Sequence, residues 1–232
     1  MLKHIDQISE QAFLLDFGSV INIELSKYVI SYSNYILKEA KKNKSLGILN
    51  CVPSYNKILI QFNPKNNIKE KIKEFLLFAN KQNLSFTEKN KTVEIPICYD
   101  DDFALDLEDI ATRTNLTKNE IIDIHLNTDF YVYMIGFMPG LPFMGNLDKT
   151  ILIPRKLSPR VEVPSGSVAI VDNLCVIYPH KSPGGWNIIG RTPQIMFNKN
   201  SNNPNLLRAG FKVKFKKISK KQFTQLIKKN GT

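Results

Sequence analysis

Three guanidinium side chains stand close together in a chain that otherwise uses lysine. The 232 residues include 27 Lys but 5 Arg, and Arg155, Arg160 and Arg191 fall within 37 positions. A planar guanidinium holds a carboxylate or phosphate through two parallel N–H bonds, which an ammonium cannot do. The surrounding stretch, residues 136–193, carries 7 of the 11 Gly, 8 of the 12 Pro and the single Trp. Gly and Pro at that density fix loop conformations, and the short apolar runs between them argue against a linker. Three loops result: 136–145, 154–167 and 178–193. The third contains Gly185-Trp186-Asn187-Ile188-Ile189-Gly190-Arg191-Thr192, nearly a P-loop with Arg in place of Lys. A P-loop opens a helix whose N-terminus faces the phosphates. Pro193 and Ile195-Met196-Phe197 predict a strand instead. The expected chemistry is therefore anion capture by glycine N–H groups, with Arg191 as the clamp.

These loops need a scaffold, and the apolar spacing supplies one. Ala12–Phe17 predicts a strand, Ile21–Lys42 an amphipathic helix, Gly47–Val52 and Asn56–Phe62 a hairpin, Ile68–Gln82 a second helix and Lys91–Cys98 another strand. The order β-α-β-β-α-β is the split βαβ pattern of a ferredoxin-like domain. Residues 100–129 hold nine Asp/Glu against two basic residues. Two helices are expected there, Asp106–Thr112 and a second opened by the capping box Thr117…Glu120 and running through His125. Beyond Tyr131 helical spacing disappears. Short runs (131–137, 151–153, 161–163, 168–171, 174–178, 188–189, 195–197, 211–215) separated by turn residues predict a closed or nearly closed β-barrel. The fold class is α+β: a ferredoxin-like α/β domain over residues 1–92 and a barrel over 93–232, with an acidic two-helix insert near 104–127.

The formal charge of +11 is unevenly placed. Residues 1–172 hold 20 basic and 21 acidic residues, whereas 173–232 hold 12 basic residues and no acid. Such asymmetry can mark a nucleic-acid partner. Here Lys212, Lys214 and Lys216 alternate with Phe211, Val213 and Phe215, so much of the charge is the solvent face of one strand, followed by a Lys-edged helix over 220–229. The acidic helix pair presents Glu120 and Asp123 where a DNA-reading helix needs Lys, Arg, Asn or Gln. No nucleic-acid partner is expected. Without an 18-residue apolar run or a secretory signal, no membrane span is expected and a cytoplasmic location is. Cys51, Cys98 and Cys175 match neither a metal spacing nor a disulfide framework and are expected in the core. His125 is expected to be structural.

Three segments carry a resemblance. They are Tyr133-x-x-Gly136-Phe-x-Pro139-Gly140-x-Pro142-Phe143-x-Gly145, Pro154-Arg155-x-x-x-Pro159-Arg160-x-x-Val163-Pro164-x-Gly166-Ser167-Val168, and Tyr178-Pro179-x-x-Ser182-Pro183-Gly184-Gly185-Trp186-x-x-Ile189-Gly190-Arg191-Thr192-Pro193. In order and spacing they resemble the family of the bacterial 5-oxoprolinase B subunit, also called allophanate hydrolase subunit 1, the carboxyltransferase C-and-D-subdomain family or the sporulation-kinase-inhibitor family. The resemblance implies a cyclophilin-like barrel and one component of a multi-subunit enzyme that opens 5-oxo-L-proline to L-glutamate at the expense of ATP with Mg. It implies homologues of the 5-oxoprolinase C and A subunits as partners, with an ATP site that can lie on one of them and a chain inactive alone.

A lactam resists hydrolysis through amide resonance. Activating it requires cations against developing charge and donors at the carbonyl oxygen. On that basis Arg191, Arg155 and Arg160 are candidate charge-stabilising residues and His180 a candidate proton carrier. Gly184, Gly185, Trp186, Phe143, Pro139 and Gly140 are candidates for substrate binding. No metal ligands are expected. Glu162 is the one acid in the second loop and the third has none, so a general base must come mostly from elsewhere, favouring a composite site. Two alternatives stand beside this: a carboxyltransferase part of a biotin-dependent urea or allophanate system, and a binding module that inhibits a histidine kinase.

Overall fold

Two hairpins and two helices build the first part of the chain. The computed structural model describes residues 1–64, 68–82, 84, 86 and 91–230, and the chain divides into two units, Met1–Lys89 and Asn90–Thr232. Strands β1 (His4–Ser9) and β2 (Ala12–Asp16) form the first hairpin. Helix α1 (Ile23–Lys42) follows, then the second hairpin, β3 (Ile48–Ser54) and β4 (Lys57–Phe62), and helix α2 (Lys69–Asn80). The four-stranded sheet has the order β1-β2-β4-β3. Asn22 caps α1, its Oδ1 accepting from Leu25 N at 2.8 Å. Phe13, Leu15, Ile58, Ile60 and Phe62 of the sheet, Val29, Tyr32 and Ile36 of α1, and Ile72, Leu76 and Ala79 of α2 form one core.

The expected ferredoxin-like arrangement is not confirmed. Strands β2, β4 and β3 with α1 and α2 follow the split βαβ plan. The strand expected to complete it, Lys91–Cys98, belongs to the second unit instead. The free edge beside β2 is taken by β1, whose side chains are mostly exposed and therefore leave no apolar signal.

That displaced strand, β5 (Thr92–Ile97), begins the second unit. Helices α3 (Leu107–Thr114) and α4 (Lys118–Asn127) follow, then β6 (Phe130–Ile135), β7 (Pro142–Gly145), β8 (Arg160–Val163), β9 (Ser167–Val171), β10 (Leu174–Ile177), β11 (Ser182–Gly184), β12 (Asn187–Arg191), β13 (Lys212–Lys217) and α5 (Lys220–Asn230). The Thr117–Glu120 capping box is present. Seven strands form one sheet, β12-β9-β10-β7-β6-β13-β5. Its two ends meet: Cys98 N donates to Arg191 O at 2.8 Å and Arg191 N to Cys98 O at 2.9 Å, one bridge that nearly closes the barrel. Gly190 lies at this seam, where a Cβ would stand 2.9 Å from Cys98 O and from Ile97. A side chain there would push the seam apart.

Strand β5 pairs with β13 in parallel, Ile95 opposite Phe215. Ile95, Ile97, Val213 and Phe215 share the barrel core with Leu107 and Ile110 of α3 and Ile121 and Ile122 of α4. Burying these isoleucines explains why β5 joins the barrel. Two expected strands are absent. Residues 149–151 form a 3-10 turn opened by Asp148, which accepts from Thr150 N. Residues 195–197 make a single bridge, Phe197 to Asn205. Conversely, β7 and β11 lie within segments expected to be loops. The Lys-rich end behaves as a solvated face: Lys214 pairs with Asp129, Lys216 with Glu94, and Lys220 with Asp100 and Asp102.

Candidate functional site

The barrel wall is buried on both faces where β9, β10 and β12 run. Val168, Ile170, Cys175, Ile177 and Ile189 point into the main core. Their neighbours Ala169, Val176 and Ile188 point the other way, into a second cluster with Leu141, Val163 and Tyr178, joined by Met138, Phe143 and Trp186. The three Gly/Pro loops thus fold over the outer face of the barrel. The second and third are joined by β11 pairing with β8, Ser182 opposite Val163 and Gly184 opposite Arg160.

A cavity of about 250 Å³ lies in this second cluster, lined by Phe137, Leu141, Phe143, Arg155, Val176, Tyr178 and residues 183–186. Phe143 and Trp186 meet edge to face, centroids 6.0 Å apart. Arg155 runs over Gly185, where a Cβ would stand 2.8 Å from Arg155 Nε, so a side chain at 185 would displace the guanidinium. No carboxylate among the described residues pairs with Arg155. Burial pushes the Tyr178 hydroxyl above its ordinary pKa, against the opposing pull of Arg155, Arg160 and a Trp186 backbone hydrogen bond. It therefore stays a neutral phenol at physiological pH.

The structure brings Arg155, Gly184, Gly185, Trp186 and Phe143 together in this cavity. It places the other candidates outside the lining. Arg160 donates from Nη2 to Asp106 Oδ1 at 2.6 Å, beside Lys156 Nζ at 2.8 Å. Arg191 donates from Nε to Ser165 O at 2.8 Å, and its guanidinium carbon lies 5.8 Å from the ring centres of Phe103 and Phe223. Half burial lowers its pKa. His180 is exposed, its ring 6.1 Å from Phe197. Pro139 and Gly140 line a neighbouring shallow concavity with Phe197 and Asn205.

Sequence reasoning does not single out Tyr178 as a pocket residue, nor Leu141, Val176 or Asp106. One signal is available. The run Val168-Ala169-Ile170-Val171 is apolar at every position, and an unbroken apolar strand calls for cover on both faces, here the three loops. A larger, more open concavity of about 690 Å³ lies along α4 and includes Glu120, Asp123, Asp129 and Asp148. Three of these carboxylates are engaged, Glu120 with Thr117, Asp129 with Lys214 and Asp148 with Thr150. No group of three or more metal-ligating side chains occurs among the described residues. The smaller cavity, with a cation, a phenol and aromatic walls, is the better site for chemistry.

Residues 3–207 match the family described as carboxyltransferase domain, subdomain C and D. The chain is 35% identical to the 5-oxoprolinase B subunit of Bacillus subtilis over 94% of each chain. It is 32% identical to the 5-oxoprolinase B subunit of Haemophilus influenzae, over 90% of this chain and 94% of that one. The solved urea amidolyase of Kluyveromyces lactis shares the fold, with a TM-score of 0.76 and 19% identity over 97% of this chain and 15% of that one. No helix among the described residues is long and apolar enough to cross a membrane.

Proposed function

This chain belongs to the carboxyltransferase C-and-D-subdomain family, and from that premise we propose that it is the B-type subunit of an ATP-dependent 5-oxoprolinase. The observation that carries this reading beyond the likeness to B subunits is the content of the cavity: one guanidinium, with no carboxylate partner among the described residues, facing aromatic walls. 5-Oxo-L-proline is a small flat ring with one carboxylate and one lactam carbonyl. Arg155 suits the carboxylate as a bidentate partner. Trp186, Phe143 and Tyr178 suit the ring, and the Tyr178 hydroxyl is a neutral donor for a carbonyl oxygen.

The cavity does not fit ATP. Three phosphates with Mg call for several cations or amide donors and for carboxylates on the metal. The lining offers one guanidinium and no acid. Gly190 and Arg191 cannot act as a P-loop, because they end strand β12, no helix directly follows, and the Arg191 backbone closes the barrel. On this reading ATP and the general base come from partner subunits, the expected homologues of the C and A subunits, and the active site is shared.

The purified chain alone should release no glutamate from 5-oxo-L-proline, and adding the partner subunits and ATP should restore release. No glutamate from the complete set sinks the reading. In that set Arg155→Ala should raise KM for the lactam by roughly 10- to 100-fold, the worth of a charge-assisted hydrogen-bond pair. A second reading, carboxyl transfer in a biotin-dependent urea system, draws on the family's description and predicts inhibition by avidin.

A further inference from the structure

We propose that Asp106, which does not line the cavity, is a positioning residue that sets the distance between Arg155 and Trp186. The inference rests on reading that cavity as the substrate site. Asp106 is the residue before α3, with a side chain 3% exposed. Its Oδ1 accepts from Lys156 Nζ at 2.8 Å and from Arg160 Nη2 at 2.6 Å, and its Oδ2 from Ile188 N at 2.7 Å. Asp106 N returns a bond to Ile188 O at 2.9 Å. Lys156 directly follows Arg155, and Ile188 stands two residues beyond Trp186. One carboxylate thus grips both segments that furnish the polar end of the cavity.

Other links also join those segments, among them Asn187 Nδ2, which donates to Pro154 O at 3.0 Å. Lys156 N donates to Gly185 O at 2.9 Å, and Arg160 sits opposite Gly184 across β8 and β11. Arg160 Nη1 is buried without a partner, so among the described residues Asp106 is the one acid holding that guanidinium. Three donors converge on the two oxygens of this one carboxylate. Its neutralisation leaves two partly buried cations without a counter-charge, and their turning toward water loosens the 154–160 loop from 184–188.

Trp186 is the single Trp of the chain, so its fluorescence reports on the cavity without a label. In the full chain, Asp106→Asn should shift the Trp186 emission to the red and increase quenching by acrylamide, with the far-UV circular dichroism unchanged. Asp106→Glu, which keeps the charge, should recover part of the native signal. Asp129→Asn, which removes a surface pair, should leave it unaltered. If Asp106→Asn does not fold, Lys156→Met decides: it deletes one donor, keeps the Arg160 bond and should shift Trp186 in the same direction. A folded Asp106→Asn, or failing that a folded Lys156→Met, with native emission and quenching overturns the proposal. In the complete enzyme Asp106→Asn should lower kcat/KM on the order of 100-fold, the cost of a misplaced contact. Fluorescence needs neither substrate nor partner. A silent Trp186 therefore overturns the positioning role whatever the activity, and an inactive complete set of native subunits overturns the function whatever Trp186 does.

Discussion

Two buried polar assemblies of the second unit are built on opposite plans. Around Asp106 a charge is buried together with its counter-charges: two cations and a backbone N–H converge on one carboxylate. Around His125 nothing is charged. The imidazole is fully buried, with Tyr99 Oη 2.6 Å from Nδ1 and Cys175 Sγ 3.6 Å from Nε2, and the rings of Phe130 and Phe215 pack against it. Each assembly ties one helix of the acidic pair to the barrel, Asp106 at the start of α3 and His125 within α4. The charged one is placed beside the cavity and the neutral one inside the core. An ion needs several fixed donors, and these link distant segments; a neutral hydrogen-bonded chain needs few and can be sealed in apolar surroundings.

The sharpest way to break this contrast is to remove the charge from the first assembly. Asp106→Ala should cost about 3–5 kcal/mol of stability, because it strands Lys156 and Arg160. Removing Lys156 as well should return part of that loss. Denaturant titration of the two variants checks both. Were the single variant to lose less than about 1 kcal/mol, the carboxylate would not be the clamp the geometry describes.

The pH dependence separates the two plans next. Burial lowers the His125 pKa to about 3, so the unfolded chain binds a proton that the folded chain refuses. Stability contributed by the neutral His125 is present above the unfolded value near 6.5 and falls as the pH drops, by roughly 2 kcal/mol at pH 5. Burial pushes the Asp106 carboxyl up, but the hydrogen bonds from Arg160, Lys156 and the Ile188 N–H together outweigh it, and its pKa ends below the ordinary range. Its contribution is present above the unfolded carboxyl value near 4 and is lost only below it. Between pH 6.5 and 4.5, His125→Gln should therefore flatten the stability profile, whereas Asp106→Asn should lower it without changing its slope. Thermal melts across that window would show it.

How far each assembly can be read from the chain follows from the separation of its parts. The Thr117–Glu120 capping box spans three residues and is legible. So is the density of Gly and Pro that fixes the cavity's loops around Arg155 and Trp186. Asp106 reads as the start of a helix and nothing more, because its partners lie 50, 54 and 82 residues away. Strand β5 is legible as a strand from its alternation. Its place is not, since its partner β13 lies more than 100 residues downstream and parallel pairing carries no hairpin signal. Arg191 is expected to clamp a ligand because Gly190 and Pro193 fix its loop. The same rigidity serves the barrel seam, and only the fold shows Phe103 and Phe223 beside its guanidinium.

Arg191 supplies an intermediate case: a half-buried cation held by rings and one carbonyl in place of an acid. Arg191→Ala should cost about 1–2 kcal/mol through loss of two ring contacts and one hydrogen bond. Arg191→Lys should recover little of it, since an ammonium cannot lie flat against Phe103 and Phe223 while donating to Ser165. In the complete enzyme both variants should keep KM for the lactam. A tenfold rise in KM would bring Arg191 back to the substrate despite its place outside the cavity.

The smallest effect belongs to the charges that dominate the composition. Lys214 and Lys216 pair with Asp129 and Glu94 at the surface, and each partner is at least a third exposed. Exposed pairs gain little, because water screens both charges and holding two long side chains costs entropy. Replacing both lysines with Gln should change stability by no more than about 0.5 kcal/mol per pair and leave Trp186 fluorescence untouched. The same two-charge change around Asp106 should unlock the cavity. If the surface variant proved the more damaging, burial would not be what makes a charge matter in this unit, and the contrast between Asp106 and the Lys-rich face would fail.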